Sequence, residues 1–272
     1  MHSLRPSHFR RCKSVTDVIS EIRKDYLYNL ILKGERSDGR TFDEYRDISI
    51  QTNLISKAEG SALVKLGSSQ VLVGIKMQPG EPFPDAPNRG VIITNAELVP
   101  LASPTFEPGP PNEVGIELAR VVDRGVRESK AVDLEALCLV PGKQVWIIFI
   151  DVHILDDCGN ILDASSLGAI AALLTTKVPA SKFGLGDNFP LPVKDIPIAT
   201  TAIEFGDVIM FDPDVDEESI ANTKLTVITS ADGSICGMQK SGTGTLRPEQ
   251  IHRIVDIACE KAKEIREKFL EV

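Results

Sequence analysis

Three arginines at spacings of i, i+4 and i+7 are the residues of this chain whose types and spacing best suit binding chemistry. Arg120, Arg124 and Arg127 follow a proline-rich stretch, residues 100–111. Like charges one helical turn apart repel by a few tenths of a kcal/mol, so the row needs a physical reason. Acidic neighbours could screen it as an ordinary solvated face: Glu113, Glu117, Asp123 and Glu128. From charge alone that interpretation is favoured, and the alternative is a polyanion bound against the arginines.

A second candidate is the acidic run FDPDVDEES, residues 211–219. Its carboxylates could bind a divalent metal or supply a general acid. The run does not match a calcium-binding loop, because Glu217 stands where that loop requires glycine. From the residues alone, a solvated acidic turn after a strand is the favoured interpretation.

The formal charge limits how this chain could bind a polyanion. The 272 residues have a net charge of -9, yet residues 1–46 have a net charge of +3, which leaves -12 for the remainder. Non-specific binding of polyanions depends on Lys and Arg displacing counterions, so an acidic chain binds them poorly. Any such contact must therefore be a focused basic patch, or one shared with a more basic partner.

Cysteine and histidine usage indicates neither a disulfide framework nor a metal site. The five cysteines are scattered without a C-x-x-C pair, which is typical of reduced thiols in a cytosolic protein. The four histidines lack ligand spacing, and His153 is expected to be a core or interface residue. We therefore expect no metal and no cofactor. No apolar run approaches the roughly 20 residues needed to cross a bilayer, so no membrane association is expected.

Helical periodicity predicts three long helices. The first spans residues 15–33, and its apolar stripe includes Tyr26. The second begins after Asn112 and contains the arginines, and four residues are expected to form its buried face: Val114, Leu118, Val121 and Val122. The third spans 248–270, with Pro248 in its first turn. A further helix around residues 164–176 is rich in small residues, which allow a close approach to a sheet.

Strand patterns alternate with these helices. A half-buried strand is predicted at 47–52, a hairpin across residues 67–69, and a central strand covered on both faces at 143–155. Gly and Pro cluster at 179–197, where we place a linker between subdomains 15–178 and 198–272. Residues 1–14 are predicted to be a disordered arm or leader sequence from a mis-assigned start codon, and not a targeting peptide. A sheet followed by a helix, repeated once, predicts an α+β fold with an internal pseudo-repeat.

Three segments resemble the RNase PH superfamily: 34–40 (GERSDGR), 59–76 (EGSALVKLGSSQVLVGIK) and 97–128. The run PLASPTFEPGPP within the last is typical of the non-catalytic ring subunits of archaeal exosomes. The resemblance implies a bipartite α+β fold of mixed sheets and packed helices, similar to ribosomal protein S5 domain 2.

The resemblance also implies which catalytic groups should be present. Active members have two aspartates six positions apart and a phosphate-binding G-G-T-R element. Here Asp212 is followed six positions later by Glu218, and residues 158–161 read Cys-Gly-Asn-Ile. Without the arginine, nothing offsets the repulsion between phosphate and phosphodiester. The extra methylene of Glu218 moves its carboxylate by about an ångström, which can cost on the order of 10²-fold in rate. We therefore expect no catalytic residue, with Asp212 and Glu218 as degenerate positions.

The function that the resemblance implies is that of a non-catalytic subunit in 3′-to-5′ phosphorolytic RNA degradation. Its partners would be a catalytic RNase PH-like subunit, in three heterodimers forming a six-membered ring, the RNA-binding cap proteins and single-stranded RNA in the cytoplasm. Arg120 and Arg124 would bind RNA phosphates, with Arg127 as a third candidate. Two alternatives are an autonomous phosphate-dependent exoribonuclease using Asp212 and Glu218, and an RNA-binding module without an enzymatic partner.

Overall fold

The computed structural model describes residues 15–270 and divides the chain into two compact units, Met1–Phe42 and Asp43–Val272. The predicted arm, residues 1–14, lies outside the described residues. In the first unit, helix α1 spans Val15–Leu32, close to its predicted bounds. Leu27 and Ile31 are buried, whereas Tyr26 is 58% exposed. The prediction that Tyr26 belongs to the apolar stripe was wrong. Its neighbour Leu27 is buried, and adjacent helical residues point about 100° apart, so Tyr26 faces solvent.

The second unit begins with a sheet of six strands. They are β1 (Ile48–Thr52), β2 (Gly60–Leu66), β3 (Ser69–Gly80), β4 (Val91–Leu98), β5 (Cys138–Val140) and β6 (Gln144–Asp156). The order is β1-β2-β3-β6-β4, with β5 paired to β6, and only the β4–β6 pair is parallel in this sheet as described. The predicted hairpin is confirmed: Leu66 pairs with Ser69, and Gly67 adopts a φ of 58° in the turn.

Strand β6 alternates between a buried and a half-buried face. Ile147 and Phe149 are only half-buried, so the prediction of cover on both faces was wrong for this strand. His153 lies on the same half-buried face, with Nδ1 3.3 Å from Oε2 of Glu97, and is therefore not a core residue.

A short segment of irregular structure joins the two main sheets. It contains β7 (Lys177–Val178), a 3₁₀ turn (Ala180–Phe183) and β8 (Phe189–Pro190), and β7 pairs with β8. The predicted linker, 179–197, covers most of this segment, and the proposed division into subdomains stays a prediction.

The second main sheet is antiparallel and has the order β10-β9-β11-β12. Its strands are β9 (Ile198–Phe205), β10 (Val208–Phe211), β11 (Thr223–Thr229) and β12 (Ile235–Ser241). These four strands form the second of the two sheets that the sequence predicts. Helix α4 (Val215–Ile220) follows β10, and α5 (Pro248–Phe269) ends the described chain.

Two helices lie between the two sheets. Helix α3 (Ile161–Leu174) packs on β2, β3 and β9, and α2 (Glu113–Glu128) packs on β4 and β12. Helix α5 packs on β9 and β11. Strand β9 is consequently buried along nearly its whole length. No helix among the described residues is long and apolar enough to cross a membrane.

Helix α2 begins where the sequence predicts. Oδ1 of Asn112 accepts a hydrogen bond of 3.0 Å from the Gly115 amide, which caps the helix. Leu118, Val121 and Val122 are buried as predicted, but Val114 is 51% exposed. Gly115 is buried instead of Val114, because the first turn of α2 packs against strand β4 through the backbone at Gly115.

Helix α3 lies close to the first sheet because Gly168 has no side chain. A Cβ atom there would lie 2.8 Å from Cγ2 of Val73 and 3.4 Å from Cγ2 of Val64. Val side chains have restricted χ1 angles, so these neighbours cannot easily move away. The predicted close approach of a small-residue helix is confirmed.

We predict that Gly168→Ala destabilises the protein by about 1–3 kcal/mol, because overpacking outweighs the better helix propensity of alanine. The measurement is the free energy of urea unfolding. Gly115→Ala is the matched control: its Cβ would meet nothing nearer than 3.5 Å. That variant should be neutral or more stable by up to about 1 kcal/mol. Equal effects of both substitutions would contradict this account.

Candidate functional site

Asp212 lies at the end of β10, where the resemblance places a catalytic carboxylate, and it is fully buried. Its Oδ1 is 2.7 Å from Nη2 of Arg46, and its Oδ2 accepts bonds of 2.8 Å from Nε and the backbone amide of Arg46. Burial alone would raise the pKa of Asp212, but the hydrogen bonds and charge of Arg46 lower it below the usual value. The interpretation of this run as a solvated turn is therefore wrong for Asp212.

Arg46 is a structural residue that the sequence reasoning missed. Besides Asp212, its guanidinium donates to the carbonyls of Cys158 (2.8 Å) and Gly159 (3.1 Å). It thus joins the segment before β1 to the turn before α3 and the end of β10. Nothing in the spacing of the charged residues distinguishes Arg46 from its neighbours, because its partners are more than 100 positions away.

A second buried carboxylate, Asp163 in the first turn of α3, belongs to the same polar network. It accepts hydrogen bonds from the Tyr45 hydroxyl (2.8 Å), the Asn160 amide group (2.9 Å) and the Thr201 hydroxyl (2.6 Å). Asn160 also donates to Asp212 at 2.8 Å. Burial raises the pKa of Asp163 to about 6, although these hydrogen bonds oppose the shift. The network therefore connects α3 with the second main sheet and with the segment that precedes β1.

Glu218, the second degenerate position, lies beside the N-terminus of α3. Its Oε1 accepts from the Asn160 amide at 3.3 Å and lies 3.3 Å from Nζ of Lys224. An anion is favourable at this end of a helix because the backbone N–H groups there are partly positive. Glu218 is held by α4, which begins with a capping box between Asp214 and Glu217. The carboxylate of Glu218 thus lies where a helix N-terminus could otherwise bind an anion.

The cavity beside Glu218 has an acidic lining. Its volume is about 130 Å³, and Asp157, Glu117 and Lys224 also line it. Three carboxylates and one ammonium give a net charge that repels phosphate. Ile161, at the position of the family's phosphate-binding arginine, lines the same cavity. Among residues 15–270, no group of three or more His, Cys, Asp or Glu side chains is placed to hold a metal ion.

The three arginines of α2 do not lie together in the structure. Arg120 and Arg124 line a cavity of about 390 Å³ between α2 and β12. Nη1 of Arg124 donates to Oε1 of Gln239 at 3.3 Å. The Nε2 group of Gln239 in turn donates to Oε1 of Glu117 at 3.0 Å. Arg127 forms an ion pair with Asp123 and lines a different cavity. The structure therefore brings two of the three predicted RNA-binding residues together.

The arginine cavity adjoins the acidic cavity, because Glu117 and Gln239 line both. Glu113 and Glu117 face the same space as Arg120 and Arg124, so the formal charges of the lining balance. A neutral lining binds a polyanion weakly by electrostatics alone. The cavity offers two guanidinium groups, those of Arg120 and Arg124, as donors to an anion. Tight binding of a polyanion would need additional positive charge from outside this cavity.

This fold and site define the chain as a member of the 3′ exoribonuclease family. The model of domain 1 of that family matches residues 44–179, and the model of domain 2 matches residues 195–261. The two matches correspond to the two main sheets with their helices.

Individual relatives agree with this assignment. The chain is 64% identical to the exosome complex component Rrp42 of Methanocella arvoryzae, over 93% of this chain and 97% of that protein. The corresponding Archaeoglobus fulgidus protein is 55% identical, over 94% and 99%. A chain of the solved A. fulgidus exosome with RNA bound to the active site has a TM-score of 0.91 at 55% identity, and the match covers 93% of this chain and 100% of that chain.

The raised pKa of Asp163 predicts a pH-dependent stability. Its pKa is 3.8 ordinarily and about 6 when folded, so the folded state binds more protons between these values. The contribution of this group to the free energy of unfolding therefore falls as pH rises from about 4 to 6. Asp163→Asn mimics the neutral acid, since its amide can donate to Thr201. We expect the variant to gain roughly 2–3 kcal/mol on the wild type across this window.

The measurement is urea unfolding of both proteins at several pH values between 4.5 and 7. Asp207→Asn is a control at an exposed ion pair with Arg247. A stability difference between wild type and Asp163→Asn that is constant with pH would contradict the assigned pKa.

Proposed function

We propose that this chain is a non-catalytic ring subunit of an RNA-degrading exosome, and that it assists a catalytic RNase PH-like subunit in 3′-to-5′ phosphorolysis. The observation that carries the proposal is the lining of the cavity beside Glu218, where Ile161 stands at the position that the resemblance assigns to the phosphate-binding arginine and three carboxylates accompany one ammonium. Phosphorolysis requires inorganic phosphate to be bound in line with the scissile bond, and a net negative lining without that arginine opposes this.

The burial of Asp212 supports the same conclusion. A general acid must come within hydrogen-bond reach of the reacting oxygen. Asp212 is fully buried, and Arg46 and Asn160 occupy both of its oxygens. Releasing it would break a buried ion pair at a cost of about 3–5 kcal/mol. An autonomous exoribonuclease that uses Asp212 and Glu218 is therefore disfavoured.

The role proposed for Arg120 and Arg124 is to bind RNA phosphates beside the active site of a partner. Their cavity opens next to the degenerate centre, and its balanced charges suit a site completed by a more basic protein. Arg127 stays a weaker candidate for that site, because it is paired with Asp123 and lines another cavity.

The proposed assembly contains three heterodimers in a six-membered ring, with RNA-binding cap proteins and single-stranded RNA as further partners, in the cytoplasm. Support comes from the relatives, which are named exosome components, and from matches to an archaeal exosome core and to an exosome with RNA bound. An RNA-binding module without an enzymatic partner is the remaining alternative.

We expect the purified chain alone to release no nucleoside diphosphates from single-stranded RNA in the presence of phosphate. Activity should appear when the catalytic subunit is added, because only that subunit would hold phosphate. The measurement is phosphate-dependent product release with each subunit alone and with the mixture. Turnover by the solitary chain at the rate of the mixture would refute the non-catalytic role, and inactivity of every mixture would favour the RNA-binding module.

Substitution of Arg120 or Arg124 by alanine should weaken RNA binding by the assembled ring, most strongly at low salt. Each lost phosphate contact should reduce the slope of log affinity against log salt concentration by about 0.7. Arg253→Ala is the matched control, because Arg253 is an exposed arginine on α5. Unchanged slopes for Arg120→Ala and Arg124→Ala would remove these residues from the RNA site.

A further inference from the structure

A basic surface lies at the opposite end of α2 from its cap. A cavity of about 180 Å³ is formed there by the β3–β4 connection, residues 81–90, and the C-terminal end of α2. Arg89, Arg127 and Lys130 line it, and Asp85 is the one carboxylate among its described lining residues. We call these four residues and Phe83 the distal basic surface. Its formal charge is +2 on a chain whose net charge is -9.

Stabilisation of the helix explains only part of this cluster. Cations near a helix C-terminus interact favourably with its exposed carbonyls, which would account for Arg127 and Lys130. It does not account for Arg89, which belongs to the β3–β4 connection. The last carbonyls of α2 are already bonded, since the Ser129 hydroxyl donates to Gly125 and the Lys130 amide donates to Arg127. The cations are therefore not needed to satisfy the helix end.

Two of the three cations are available to a ligand. Within the part of the chain that the structure describes, Arg89 and Lys130 have no carboxylate within ion-pair distance, and both are exposed. Asp123 partly neutralises Arg127, whose side chain is 55% exposed.

The backbone holds Arg89 in a defined position. The amide of Gly90 donates to the Leu134 carbonyl at 2.7 Å, and the amide of Gly142 donates to the Pro87 carbonyl at 2.8 Å. Lys130 adopts a φ of 54°, which is uncommon for a residue with a side chain. These constraints place cations from two separate elements around one cavity before any ligand binds, which lowers the entropic cost of binding.

An exposed aromatic residue completes the surface. Phe83 lines the same cavity and is 55% exposed, although a large apolar side chain gains free energy from burial. Proteins that bind single-stranded nucleic acids combine cations that contact the phosphates with aromatic rings on which bases stack. A ligand that consists of phosphate alone would make no use of the Phe83 ring, and an acidic peptide would have no planar group to stack on it.

We propose that the distal basic surface binds one nucleotide of single-stranded RNA, with the base on Phe83 and the phosphate between Arg89 and Lys130. This inference rests on the proposed function, since it adds a second contact to an RNA strand that is bound at Arg120 and Arg124. Arg120 and Arg127 are seven residues apart on α2, a separation of about 10 Å along the helix. The two contacts would thus guide one strand along α2.

The test is RNA binding by the ring assembled with the catalytic subunit, measured across a range of salt concentrations. The variants are Arg89→Ala, Lys130→Asn and Phe83→Leu, where asparagine tolerates the positive φ of position 130. Arg89→Ala and Lys130→Asn should each reduce the salt slope by about 0.7. Phe83→Leu should weaken binding on the order of 10-fold with the slope unchanged. Arg253→Ala should change neither quantity.

The outcomes separate this inference from the proposed function. If Arg120→Ala lowers the salt slope while Arg89→Ala and Lys130→Asn do not, the distal contact is refuted and the proposed function stands. If none of these variants lowers it, RNA binding by this chain fails as a whole. If Arg89→Ala weakens association with the catalytic subunit and leaves RNA binding intact, the surface binds a protein and the inference is refuted. Lowered slopes without an effect of Phe83→Leu would refute the stacked base.

Discussion

The ion pair between Arg46 and Asp212 is the interaction on which the rest of the centre depends. It joins the segment before the first sheet to the residue that follows β10. The Arg46 guanidinium also donates to two carbonyls in the turn that precedes α3. Both charged groups are removed from water, which is costly unless every donor and acceptor is matched. Asn160 completes the matching by donating to Asp212. The segment before β1, the turn before α3 and the end of β10 are therefore held together by one satisfied buried charge.

The same arrangement supports the proposed non-catalytic role. Family members that cleave RNA need a free carboxylate and a bound phosphate, whereas here one carboxylate is part of the scaffold. The other, Glu218, lies against the amide of Asn160 and the ammonium of Lys224. Ile161 stands at the position that the resemblance assigns to the family's arginine, and the cavity that it lines has a net negative lining.

Charge balance also limits what this chain could do alone. The cavity at Arg120 and Arg124 contains two carboxylates as well, so its formal charges cancel. The distal basic surface is positive, but it is small on an acidic protein. Both features suit a subunit that directs an RNA strand toward a partner and relies on that partner for most of the electrostatic attraction.

Much of this protein could be predicted from its sequence because the relevant signals are local. Periodicity located the long helices and the hairpin of the first sheet, Asn112 marked the start of α2, and the substitutions at Glu218 and Ile161 indicated degenerate chemistry. Burial of β6 was predicted wrongly, because a run of apolar letters does not say which face another layer covers. The contacts of Arg46 and Asp163, and the cavity on which the proposal for Arg89 rests, required the tertiary structure. Each depends on groups brought together from distant parts of the chain, and the local sequence does not indicate which distant residues will lie close together in the fold.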